Sequence, residues 1–197
     1  MSSESTRPFR VVIAEDEAII RLDLKELLQE EGYDVVGETG RGDEAIELVR
    51  DLQPDLVILD IKMPGLDGLS AARHVAGERM AAVLILTAFS QRELVEQARD
   101  AGALAYLVKP FQKSDLIPAI EIALGRFAEM ALLDRDINEL QERLDARKLI
   151  DRAKGRLMDD HGLTEGDSWR FLQQQAMSNR VRVDDIAHRV LDGDLTP

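Results

Sequence analysis

The sequence predicts an α/β domain, a five-stranded doubly wound parallel sheet, followed by a coiled-coil helix and a small all-α three-helix domain. Three observations carry this. Up to about Lys113, short β-branched runs alternate with stretches of helical periodicity. Three of those runs are apolar throughout, as expected of strands covered on both faces. Beyond Lys113 the β-branched runs stop and the composition turns helical.

Residues 1–7 are small and polar and read as a flexible tail. The strand runs are Val11-Val12-Ile13, Val35-Val36, Leu56 to Leu59, Val83 to Leu86 and Leu104 to Val108. Between the first two, Glu17–Glu31 carries Ile20, Leu24, Leu27 and Leu28 at helical spacing. Asp43–Leu52 does the same with Ala45, Ile46, Val49 and Leu52. Five such units imply an open parallel sheet with helices on both sides, over residues 8–124.

Ser114 is the expected N-cap of the next helix, with Pro118 still in its tolerated first turn. From there to about Asp160 only Gly125 and Gly155 interrupt a helical composition. Met130, Leu133, Ile137, Leu140 and Leu144 are spaced 3, 4, 3, 4, the seam of a coiled coil and the expected dimerisation surface, within a linker helix over 125–145. His161-Gly162 is a stop, and Thr164 to Asp167 resembles a capping box with Asp in place of Glu. It opens a helix with Trp169, Leu172, Gln173 and Ala176 on one face, and a last helix carries Val183, Ile186, Ala187 and Val190. On this spacing Trp169 reads as core, and Gly155 as a point of close helix approach.

Composition excludes several function classes. Acids exceed bases 38 to 25, so the chain carries a net charge of −13. A surface that negative repels nucleic acid and anionic membranes on average, and any nucleic-acid site must be a local basic patch. With no cysteine there are no disulfides, thiolate metal sites or thiol catalysis. His74, His161 and His188 lie far apart and form no metal-binding pair. The longest apolar run, Met80 to Leu86, is seven residues, far short of a membrane span, and the opening MSSESTRPFR has no apolar signal core. The expectation is a soluble cytoplasmic protein with no membrane partner.

In an open parallel sheet, ligands sit at the carboxyl ends of the strands. There the sequence puts Glu15-Asp16, Asp60, Thr87 and Lys109-Pro110, from four separate strands. Clustered carboxylates repel, and a hard divalent cation such as Mg²⁺ relieves this while also binding phosphate oxygens. One carboxylate can then attack phosphorus, while Thr87 and Lys109 hold the transferred oxygens. Any one of these acids taken alone could simply cap a helix; the combination points to a site.

The string from Asp60 to Gly68, DIKMPGLDG, with Glu15-Asp16 before it and Thr87 and Lys109-Pro110 after it, resembles the receiver domain of two-component response regulators, a flavodoxin-like fold. The resemblance implies that Asp60 accepts phosphate from a sensor histidine kinase. It also implies that Glu15, Asp16, Asp60 and the carbonyl of Lys62 organise Mg²⁺, that Thr87 and Lys109 contact the phosphoryl group, and that Tyr106 is an aromatic switch. A cis Lys109–Pro110 peptide is a further implication.

In the second part, Arg147–Arg156 (RKLIDRAKGR) holds five bases and one acid, and Arg170, Arg180 and Arg182 follow in an acid-free stretch from Ser168 to Val183. Such runs meet phosphates or form a solvated helix face, and charge alone favours the solvated face. Trp169 could stack on a base, but its helical spacing from Leu172 and Ala176 favours the core. Ala153-Lys154-Gly155-Arg-Leu-Met158, His161-Gly162, Ala176-Met177 and Asp185-Ile-Ala187 resemble the ANTAR output domain, a three-helix RNA-binding module of transcription antiterminators. The domain is expected over 135–197. The resemblance implies binding to tandem RNA stem-loops, with Arg147, Lys148, Arg152, Lys154, Arg156, Arg180 and Arg182 as candidate contacts. The layout resembles the actinobacterial phosphorylation-dependent antitermination regulators, expected to form a homodimer on phosphorylation.

Two rival readings remain. A DNA-binding response regulator needs a base-reading recognition helix, and the last helix offers Asp184, Asp185 and His188 instead. A phosphohydrolase with an Asp nucleophile usually carries a second acid two residues on, where this chain has Lys62. The expectation is therefore not an enzyme.

Overall fold

A strand's pleat sends successive side chains to opposite faces, so a strand apolar at every position must be covered twice. In the computed structural model of the chain, which describes residues 7–88 and 92–197, three strands meet this condition at all but one end residue each, Arg10, Asp60 and Thr87. These are β1 (Arg10–Ala14), β3 (Leu56–Asp60) and β4 (Ala82–Thr87), with β2 (Asp34–Thr39) and β5 (Ala105–Val108) at the edges. All neighbours pair in parallel, in the order β2-β1-β3-β4-β5.

The period of two divides the core. Val12, Ala14, Val57, Leu59, Val83 and Ile85 face α2 (Gly42–Leu52), α3 (Gly68–Gly77) and α4 (Arg92–Asp100), whose Ala45, Val49, Ala72, Val75 and Ala98 are buried against them. Val11, Ile13, Leu56, Ile58, Leu84 and Leu86 face α1 (Ala18–Glu30) and the start of α5 (Lys113–His161), through Leu24, Leu28, Leu116, Ile120 and Ala123. Each large side chain so buried contributes roughly 1.5–3 kcal/mol. The fold class read from the sequence is the one found.

The chain divides into two compact units, one ending at Ala131 and one beginning at Leu132. Packing in the first continues past residue 124, because Phe127 lies against the Leu116–Ile120 core. In the second, the α5 residues Ala153 and Leu157 form a core with Leu172 and Ala176 of α6 (Glu165–Asn179) and Ile186, Ala187 and Val190 of α7 (Val183–Asp192). Among the described residues, no helix is long and apolar enough to cross a membrane.

Several local expectations need correction. α5 begins at Lys113, and its opening turn is capped by Asp115, which accepts from the Gln112 N–H at 3.0 Å, not by Ser114. Pro118 consequently falls in the second turn, where it leaves the Ser114 carbonyl without its usual helical donor. Nothing lies within 4 Å of a Cβ built on Gly155, so no helix approaches there. Trp169 is 39% exposed, not core. Of the expected tail, residues 1–6 lie outside the described residues, and Arg7 pairs with Asp55 at 2.8 Å. The stop at Gly162 (φ +70°) and the Thr164 cap, which accepts from the Asp167 N–H at 3.2 Å, are as the sequence indicates.

The loop after β3 is held by backbone approaching backbone. A Cβ on Gly68 would lie 1.8 Å from the Asp60 carbonyl oxygen, whereas one on Gly125 of α5 would meet nothing within 4 Å. Gly68→Ala should therefore destabilise the first unit by roughly 1–3 kcal/mol in urea unfolding, as overpacking does. Gly125→Ala should stabilise it by about 0.5–1 kcal/mol. Equal stability of Gly68→Ala and wild type would contradict the packing described.

Candidate functional site

The sheet's register brings its carboxyl ends together. Asp60, the last residue of β3, pairs with Leu86, and Thr87, the last of β4, pairs with Val108 just before Lys109. Glu15 and Asp16 follow β1 directly. Glu15, Asp60 and Thr87 are buried, and one carboxylate oxygen from each of Glu15, Asp16 and Asp60 lies within 4.8 Å of the others. Lys109 Nζ sits between two of them, 2.6 Å from Glu15 Oε2 and 2.7 Å from Asp60 Oδ1. Asp60 Oδ2 accepts from the Lys62 N–H at 2.8 Å, so both oxygens of this carboxylate are held in place. Beside them is a cavity of about 200 Å³ lined by Asp16, Asp60, Lys62, Thr87, Ala88 and Lys109, room for roughly six water-sized groups.

Electrostatics here are a balance of burial against pairing. Burial pushes the Glu15 carboxyl above its usual range, more than the Lys109 ammonium pulls it down. Burial likewise works against the charge on Lys109, but hydrogen bonds to Asp60 and Glu15 outweigh it and its pKa rises. Apart from the ammonium, Glu15 Oε2 has no hydrogen-bond partner, and Oε1 accepts only the Glu17 N–H at 3.2 Å. A buried carboxylate oxygen served by one cation, with two further carboxylates within 4.8 Å, fits a hard divalent ion with oxygen ligands.

Of the residues expected at this edge, Tyr106 is the one set apart. It pairs with Ile85 on β5, is 45% exposed and does not line the cavity. The Lys109–Pro110 peptide is cis. One residue that spacing did not flag is Arg21, whose Nη1 donates to the Glu15 carbonyl at 2.5 Å and so fixes the acidic turn after β1 from the next helix. Nothing in the sequence marks an arginine one turn into a helix as serving the preceding strand.

In the second unit the candidate cations divide by what they already hold. Lys154 pairs with Asp151 and Glu165, both at 2.9 Å, and its side chain is only 17% exposed. Arg156 pairs with Asp160 at 3.2 Å and also donates to the Leu191 carbonyl near the end of α7. Lys148 pairs with Asp145, Arg170 with Asp167 and Arg182 with Asp184. Arg147, Arg152 and Arg180 are exposed, with no salt bridge among the described residues. Ser168 is buried, and its hydroxyl donates to the Thr164 carbonyl at 2.9 Å. The seam is exposed along its length: Met130 36%, Leu133 56%, Ile137 62%, Leu140 58% and Leu144 54%.

Comparison with known proteins covers both parts of the chain. Residues 11–121 match the response regulator receiver domain and residues 138–191 the ANTAR domain. Transcriptional regulatory protein PdtaR of Mycobacterium tuberculosis is 54% identical over 195 residues, 99% of this chain and 95% of PdtaR. Chemotaxis protein CheY of Thermotoga maritima is 38% identical over 112 residues, 56% of this chain and 93% of CheY. Among solved structures, a two-component response regulator of the LuxR family from Aurantimonas sp. SI85-9A1 aligns with a TM-score of 0.57 at 30% identity, covering 65% of this chain and 98% of that one. A DNA-binding response regulator of the LuxR family from Staphylococcus aureus gives 0.56 at 28% identity, over 59% and 98%. With both domain patterns matched and a relative this similar over nearly its whole length, the chain belongs to the response regulators that join a receiver domain to an ANTAR domain.

Proposed function

We propose that this protein is phosphorylated on Asp60 by a sensor histidine kinase, dimerises, and binds tandem RNA stem-loops to cause transcription antitermination. The observation that carries the reading is Lys109 bridging Glu15 and Asp60 at the mouth of the small cavity, in one chain with an ANTAR domain. In the transfer step, an Asp60 oxygen forms the bond to phosphorus as the phosphorus–nitrogen bond of the kinase phosphohistidine breaks. The Lys62 N–H and Lys109 hold the Asp60 carboxylate in one orientation for in-line attack. As charge moves onto the phosphoryl oxygens, Lys109 and the Thr87 hydroxyl are the side chains at hand to meet it. Mg²⁺, held by Glu15, Asp16, Asp60 and the Lys62 carbonyl, would supply the remaining neutralisation. Lys62 stands where a hydrolase would carry a second acid, so the reading is a regulator with slow self-dephosphorylation rather than an enzyme on external substrates.

For the output, RNA is favoured over duplex DNA by the character of α7. Its exposed side offers Asp185, His188, Arg189 and Asp192, acidic on balance and a poor surface for a groove lined with phosphates. The likeness to the DNA-binding relative covers 59% of this chain, about the share taken by the receiver match.

Three outcomes test the reading. A small-molecule phosphodonor with Mg²⁺ should label wild type, Asp60→Asn should take no label, and Lys109→Ala should keep some label without the gain in RNA affinity. Full labelling of Asp60→Asn would end the assignment. In RNA binding across a salt series, Arg147→Ala, Arg152→Ala and Arg180→Ala should each lower affinity and reduce the salt slope by about 0.7–0.9, whereas Arg156→Ala should chiefly lower thermal stability. Unchanged slopes for all three arginines would leave them as a solvated face. The seam's five exposed apolar side chains could gain roughly 1.5–3 kcal/mol each on full burial, before the cost of association. Leu140→Asp should weaken phosphorylation-dependent dimerisation and RNA affinity together in sedimentation and binding assays. Adding Leu133→Asp should cost little more.

A further inference from the structure

We propose that the groove between α5 and α6 in the ANTAR domain is a subsite for one unstacked base of an RNA loop, with Trp169 as its stacking face. The inference rests on the RNA-binding reading of this domain and names the part of the RNA that the groove takes.

Tryptophan carries the largest apolar area of any side chain, yet this one, the chain's only tryptophan, leaves 39% of its surface in water while Leu172 and Ala176 on the same helix close the core. Its ring borders a cavity of about 680 Å³. The facing wall is a stripe of α5 at spacings of three and four: Arg143, Ala146 and Arg147, then Ile150 and Asp151, then Lys154. The groove therefore brings an aromatic face together with Ala146 and half-buried Ile150, an apolar surface on which a flat ring can stack.

Charge orients the occupant. At the rim stand Arg143, whose Glu139 contact is a loose 3.7 Å, Arg147, with no salt bridge among the described residues, and Arg182. Toward Lys154, the carboxylates of Asp151 and Glu165 flank the ammonium at 2.9 Å, which repels phosphate and leaves acceptor oxygens for a base amino group. A nucleotide fits with its base inward and its phosphates at the arginines. Only an unpaired, unstacked base can lay its face on the ring, so the occupant comes from a single-stranded loop. A cationic rim in a chain of net charge −13 further favours a polyanion over an apolar peptide.

Because the tryptophan is unique, its emission reports this slot alone. The full-length chain, phosphorylated with a small-molecule donor, would be titrated with a synthetic RNA bearing two hairpins with single-stranded loops, and with a loop-free RNA duplex. Trp169 emission should be quenched by the hairpins and unchanged by the duplex. Trp169→Leu should lose about 5- to 150-fold in hairpin affinity, the range for a stacked base, and Trp169→Tyr should recover most of it. Circular dichroism should show all three proteins equally folded, since the ring is outside the core. Normal hairpin binding with unchanged emission, or full affinity in Trp169→Leu, would overturn the subsite while leaving RNA binding intact. Quenching by AMP at concentrations that displace the hairpins would assign the slot to free nucleotides and overturn the loop-base occupant. Failure of wild type to bind any RNA would remove the RNA-binding reading itself.

Discussion

A lysine held between two carboxylates, one of them fully buried, is the contact that organises the carboxyl edge of the sheet. Lys109 Nζ lies within 2.7 Å of both Glu15 and Asp60 and leaves Glu15 Oε2 without any other partner. Removing Lys109 would leave two carboxylates without their shared cation, one of them fully buried, which is a costly arrangement. The trio also ties three strand ends, β1, β3 and β5, into one electrostatic unit. On the proposed reading, a phosphoryl group arriving on Asp60 would give Lys109 a new set of oxygens to meet and change the balance among the strand ends. A local charge event of this kind can bias a two-state element elsewhere in the chain.

The backbone around this trio is built to hold it still. Gly68 lets the start of α3 press against the Asp60 carbonyl at a distance that no side chain tolerates. Asp67 caps the same helix by accepting from the Ser70 N–H at 2.9 Å, and those hydrogen bonds hold its carboxyl below the usual range although its partial burial works against this. Arg21 reaches back from α1 to the Glu15 carbonyl. Rigid support around charged groups is what lets them act without paying reorganisation at each event.

How much of this could be read from the sequence follows from the range of each signal. Strands β1, β3 and β4 were legible because burial on both faces writes itself as an uninterrupted apolar run, and the carboxyl edge followed from their order. Which cations are available was not legible. Lys154 is neutralised in part by Glu165, eleven residues on, and Arg156 is tied to Leu191, thirty-five residues on. Charge counts within a window cannot register pairing between elements. Trp169 failed for a related reason: helical spacing gives the face a residue shares with Leu172, but not whether another element covers that position. Gly155 reads as a packing glycine only if a neighbour exists, and none is within 4 Å of its missing Cβ. Ser114 lost the cap to Asp115 because the helix begins two residues earlier than that cap implies.

The central claim is that a phosphoryl group on Asp60 brings two output domains together so that they hold paired stem-loops, with avidity that neither has alone. The most direct measurement is the stoichiometry and affinity of the full-length chain on a tandem-hairpin RNA, by sedimentation velocity, with and without a phosphodonor and Mg²⁺. The account predicts two chains per tandem RNA and tighter binding only in the phosphorylated state, with a single hairpin bound much more weakly. One chain per RNA, bound equally well with and without phosphorylation, would contradict it.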